Sequence, residues 1–135
     1  MSRSGYSDYI EDNWQLICWR GAVASAIRGK RGQAFLKELA AKMDAMPEKI
    51  LISGELVTED GDCCAIGVVC KSRGLDVSKV DPEESEEVSK LVGVAEAMVR
   101  EIEYENDECG WNEKPDSRWR RMRRWVDEQI IKEEL

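Results

Sequence analysis

Between Lys30 and Met46 the apolar side chains recur with a period that only a helix gathers on one side. At about 100° per residue, Phe35, Leu36, Leu39, Ala40, Met43 and Met46 fall on one arc, and Lys37, Glu38, Lys42 and Asp44 fall outside it. Pro47 ends the stretch, because the residue before a proline is pushed out of the helical region. The preceding segment, Trp14 to Arg28, is apolar nearly all round, with Trp14, Leu16, Ile17, Trp19, Val23 and Ile27 spread over every side. A helix with that pattern is expected to be central. Gly29 is a plausible stop, since glycine takes the left-handed conformation at a helix end without penalty.

Residues Ile50 to Ile66 break the helical period. Ile50-Leu51-Ile52 and Leu56-Val57-Thr58 are extended formers, and Glu59-Asp60-Gly61-Asp62 signals a turn, so a short β-hairpin-like element is expected. Cys63 to Arg73 reads as a short buried helix closed by Gly74. Asp81-Pro82 has the form of a helix start, an acceptor followed by proline at the first helical position. Gly93 breaks that helix. The next puts Val94, Ala95, Met98, Val99 and Ile102 on one face, with Glu96, Arg100 and Glu103 opposite and Glu96 spaced to pair with Arg100. Asn106 to Lys114 reads as a loop. Pro115 opens a last helix to about Lys132, with Trp119, Met122, Trp125, Val126 and Ile130 inward and Arg120, Arg121 and Arg124 outward. The expected fold is mainly α: a polar segment over 1–13, then a single helical domain over 14–135 with five or six helices. Its 135 residues suit one domain able to bury a core unaided.

No apolar run approaches the roughly 20 residues of a membrane span. Met1 to Asn13 is polar and lacks the basic-then-apolar form of a signal peptide. Five cysteines, an odd number, then suggest reduced thiols in a cytoplasm. No histidine is present, which removes the commonest general base and metal ligand. Adjacent Cys63-Cys64 does not have zinc-site spacing, and Cys70 suits a small core position. Cys109, in the loop, is expected to be the exposed thiol. No catalytic set, metal site or cofactor is picked out. A small metal-dependent hydrolase or nuclease is a third possibility whose acids no motif selects.

Charge is distributed unevenly. Against an overall balance of 28 acids to 20 bases, residues 81–108 hold eleven acids and two bases, and residues 117–124 hold five arginines and no acid. Such patches can simply neutralise one another across a folded surface. Two functional readings follow. The acidic run Glu101, Glu103, Glu105, Asp107 and Glu108 can dock on a basic protein surface, with Trp111 as an interface anchor. Alternatively, Arg28, Lys30 and Arg31 with Arg120, Arg121 and Arg124 can grip nucleic-acid phosphates, although the net charge of −8 opposes approach at long range.

The chain resembles a group of small uncharacterised proteins of bacteriophage and prophage genomes. The resemblance is carried by Arg28-Gly29-Lys30-Arg31-Gly32-Gln33-Ala34-Phe35-Leu36, Asp44-Ala45-Met46-Pro47, Cys64-Ala65-Ile66-Gly67, Tyr104-Glu105-Asn106-Asp107-Glu108 and Arg118-Trp119. It implies a viral accessory protein of the bacterial host cytoplasm, working by binding a host or phage protein, for which a defence system is one candidate. It implies no reaction.

Overall fold

The computed structural model describes residues 3–4, 13–108 and 112–132. Six helices run in order among them: α1 Asn13–Arg28, α2 Lys30–Asp44, α3 Ala65–Ser72, α4 Ser85–Val92, α5 Glu96–Asp107 and α6 Pro115–Gln129. The amphipathic α2 is the central element. Its Phe35, Leu36, Leu39, Ala40 and Met43 are buried, and it packs against α1, α3 and α6. Met122 and Val126 of α6 and Met98, Val99 and Ile102 of α5 join it in the core, as the periodicity of those segments predicts.

Helix α1 is not central. It lies on α2 and α5, and among its hydrophobic residues only Val23 and Ile27 are buried. An all-round apolar helix needs neighbours all round, and among the described residues α1 finds them on one side only.

Two glycines are fixed by close approach. A Cβ on Gly32 would stand 2.0 Å from the Ala26 carbonyl oxygen, and one on Gly67 would stand 1.8 Å from that of Leu56. Gly32 thus lets the start of α2 lie against the end of α1. Beside it, Gln33 donates from Nε2 to the Ile27 carbonyl (2.8 Å) and to the Gln129 carbonyl (3.0 Å), and its Oε1 accepts from the Ile131 N–H (2.9 Å). One amide therefore ties the ends of α1 and α6 together, satisfying carbonyls that helix termini leave open.

The β-hairpin expected over residues 50–66 does not form. The Asp60-Gly61 turn is present, with Thr58 N–H donating to Asp62 O (2.8 Å), but around it lies a single antiparallel bridge, Val57 to Cys63. Side chains of α5 take up the backbone groups that a ladder would have used. Asn106 donates to Ile52 O (2.9 Å) and accepts from Ala65 N–H (3.0 Å), and Asp107 accepts from Gly54 N–H (3.2 Å).

Two boundaries also move. Asp81-Pro82 forms a turn, with Asp81 Oδ1 accepting from Glu83 N–H (2.9 Å), and α4 starts at Ser85 behind Glu84. Helix α5 continues to Asp107, two residues into the segment expected to be a loop. Gly93 closes α4 in the left-handed conformation, φ 79°, as expected. No described helix is long and apolar enough to cross a membrane.

Candidate functional site

Three surfaces or clusters bring together the polar and aromatic residues that the sequence singles out. The first is a buried polar cluster at the end of α5. Cys64, the N-cap of α3, accepts from the Gly67 N–H (3.4 Å), and Arg3 reaches its sulfur through Nη1 at 3.5 Å. The same guanidinium grips Asp107, donating from Nη2 to Oδ1 (2.8 Å) and from Nε to Oδ2. Its Nη1 lies 3.4 Å from Glu103 Oε2. Next to it, Ser4 Oγ donates to Glu108 (2.6 Å). On the far side of Asn106, its carbonyl accepts from Arg118 Nε (2.8 Å), and Arg121 Nε donates to Glu113 Oε1 and Oε2, both at 3.1 Å.

Glu103 is the unusual member. It is 0% exposed, and neither carboxylate oxygen accepts a hydrogen bond. Burial drives its pKa up to about 8, against the pull of Arg3; Asp107 adds to the rise and Arg100 opposes it. Arg3 is itself held protonated. Burial works against its charge, and the Cys64 sulfur and the Asp107 and Glu103 carboxylates outweigh burial.

The acidic run is therefore not a solvated face. Glu103 is internal, Asp107 is held by Arg3, and Glu105 lies 3.9 Å from Arg121. The physical reason is the helical phase. Glu103 follows Val99 by four residues and Asn106 follows Ile102 by four, so the buried face of α5 runs on through them. Arg100, also expected opposite the core, is buried too. It donates to Ser85 Oγ (3.0 Å), pairs with Glu96 (2.8 Å) and lies over the Trp19 ring at 5.5 Å. Trp111 and Cys109 lie outside the described residues.

The second surface is a cleft of about 730 Å³ between α1 and α6, floored by α5. Trp19, Tyr104 and Trp125 give it aromatic walls, and Glu101 and Glu108 stand along it opposite Arg20 of α1. Two of the five acids expected to meet a partner are thus on this cleft. Adjoining it, α1 carries Trp14, 72% exposed, and Ile17, 63% exposed, one turn apart. Cys18 is exposed beside them. Sequence reasoning placed this helix inside and so missed the pair. The signal was present in Gly21, Ala22, Ala24 and Ser25, which leave little on the outward side for another element of this chain to grip.

The third is the corner between α1 and α2, where Arg28, Lys30 and Arg31 are exposed. Among the described residues they make no ion pair. Two members of the other half of the expected basic patch, Arg120 and Arg121, lie away from that corner along α6. Gln33 fixes the corner against Gln129, at the end of α6, whereas Arg120 and Arg121 lie eight or nine residues earlier on that helix, roughly 12–13 Å along its axis. Arg120 pairs with Asp116 (3.5 Å) and Arg121 with Glu113 (3.0 Å). Arg123 is held by Asp44 (2.8 Å), which keeps that carboxyl below its usual range. Arg124 is exposed on the outer side.

Cys63, Cys64 and Cys70 are buried and free. Burial pushes Cys70 up to about 12 and raises Cys63, so neither is an activated nucleophile. Among the described residues no cluster of three or more cysteine or acidic side chains is placed to hold a metal ion. Compared with protein-family models, with curated proteins and with solved structures, the chain finds no match in any of the three.

Proposed function

We propose that the protein is a binding module that engages a protein partner through α1 and the cleft beside it. The observation that carries this reading is the exposure of Trp14 and Ile17 together on one helix turn. Single exposed apolar residues are ordinary. A tryptophan and an isoleucine side by side, next to an aromatic-walled cleft, form the kind of anchor that dominates interface energetics. Arg20 follows Ile17 by one turn and Arg28 by about three, and α1 carries no acid. The fitting partner segment is therefore an amphipathic helix with apolar anchors and acidic residues toward one end. An accessory role in a bacterial cell, as the resemblance to bacteriophage proteins implies, accords with such a surface.

The test is substitution of Trp14 by alanine and of Ile17 by glutamate. Both proteins should keep the wild-type unfolding free energy to within about 0.5 kcal/mol, the range typical of surface sites. Both should lose the partner. A second reading is favoured by Arg28, Lys30 and Arg31, exposed and without an ion pair among the described residues: nucleic-acid binding at the α1–α2 corner. It requires affinity that falls steeply with salt and is lost when Arg28 and Arg31 are reversed to glutamate.

A further inference from the structure

We infer that the pocket closed by Arg3 is an arginine-recognition site that accepts, in place of the chain's own N-terminal Arg3-Ser4, the same chemistry from another polypeptide. The pocket is built by α5 and the start of α3, not by the segment that fills it. Asp107 supplies a two-oxygen grip on the guanidinium, Cys64 an acceptor sulfur, and Glu108 an acceptor for the following hydroxyl. Planar, forked recognition of this kind selects arginine over lysine.

The pocket also holds more acceptor capacity than its present occupant uses. Glu103 faces the guanidinium at 3.4 Å with both oxygens free of hydrogen bonds, fully shielded from water. A buried carboxyl without a hydrogen-bond partner carries a free-energy cost whether or not it is protonated, so an arginine seated close enough for Glu103 to accept from it would be favoured. The contacts of Arg3 and Ser4 described above are polar side-chain contacts that any Arg-Ser sequence could reproduce. The advantage of the native residue is its covalent linkage, an effective concentration on the order of millimolar. Another arginine presented at higher local concentration displaces it.

The inference does not rest on Trp14 or Ile17, and its test leaves α1 intact; the pocket shares only Glu108 with the cleft beside α1. In the full chain carrying Arg3→Ala, the pocket presents Glu103, Asp107 and Cys64 without their cation, and the melting temperature should fall. Added peptide Ser-Arg-Ser-Gly, which copies residues 2–5, should raise it again in a saturable way. The same peptide with lysine in place of arginine should bind at least about tenfold more weakly, a difference of about 1.4 kcal/mol. If Arg3→Ala does not fold alone, peptide-dependent recovery of its helical signal is the readout, and Arg3→Lys gives the second variant to be restored. No saturable recovery in either variant overturns the inference, as does equal recovery by the lysine peptide or recovery that persists with Asp107→Asn. Mixing Arg3→Ala with a Glu103→Gln/Asp107→Asn protein, which keeps Arg3 but loses the pocket, identifies the source. A one-to-one complex means that a second copy donates the arginine; recovery by peptide without such a complex excludes a second copy as the donor.

Discussion

Glu103 is the residue at which sequence and structure part most sharply, and it makes a prediction of definite sign. Its pKa in the folded protein is raised to about 8 by burial, with Arg3 and Arg100 opposing and Asp107 adding. In the unfolded chain a glutamate titrates near 4.3. The folded state therefore holds a proton that the unfolded state has released, and stability is lost as pH rises from about 4.5 through 8. The acids with lowered values, Glu38, Asp44, Asp76 and Asp127, act below that window and in the opposite sense. Melting temperature should thus fall between pH 5 and pH 8, and Glu103→Gln should flatten that fall. A fall of equal size in the variant would assign the dependence elsewhere. The glycines make a steric prediction at the same scale. Gly67→Ala would drive a Cβ to 1.8 Å from the Leu56 carbonyl oxygen, a backbone atom with no rotamer to change. A loss of about 3 kcal/mol or more is expected in denaturant unfolding, at the severe end of overpacking. Thiol chemistry separates the cysteines. Alkylation of the native protein, mapped by mass spectrometry, should modify Cys18 while Cys63, Cys64 and Cys70 stay protected.

At the scale of elements, α2 and α6 were legible because their apolar residues obey one period and fill one arc. Leu39→Ala or Met122→Ala should each cost roughly 2–5 kcal/mol, as buried large-to-small changes do, because both side chains are fully shielded. Gly93 and Gly74 marked their helix ends for the same local reason, a positive φ of 79° and 71° respectively. The misread elements share a different cause. A period reports a face but not which elements exist to cover it, so α1 looked central and proved half exposed. The expected hairpin failed because Asn106 and Asp107, some fifty residues away in sequence, supply the partners of Ile52 and Gly54. No local pattern in Ile50 to Ile66 could reveal that. On α5 the face was readable but was ended too early, since glutamate and asparagine were assigned to solvent by type when the spacing from Val99 and Ile102 carried them inward. Of the candidate site, the paired arginines of α6 were visible as charges, but their carboxylate partners were not.

For the whole molecule, charge and exposure pull toward different partners. The acidic balance of −8 opposes nucleic acid, yet the α1–α2 corner exposes three bases that make no ion pair among the described residues. Alongside them α1 leaves Trp14 and Ile17 in water. The two surfaces are separable because reversing Arg28 and Arg31 leaves Trp14 and Ile17 in place. The most direct measurement is quantitative capture from bacterial lysate by four proteins in parallel: wild type, Trp14→Ala, Ile17→Glu, and the Arg28→Glu/Arg31→Glu double variant. Their melting temperatures are matched first, and nucleic-acid binding is titrated near 150 mM salt, roughly physiological ionic strength. A protein partner retained by wild type, lost with Trp14→Ala and Ile17→Glu, and accompanied by no salt-sensitive nucleic-acid binding is the result predicted here. Capture unchanged by both α1 substitutions, with nucleic-acid binding abolished by the double arginine reversal, would contradict it.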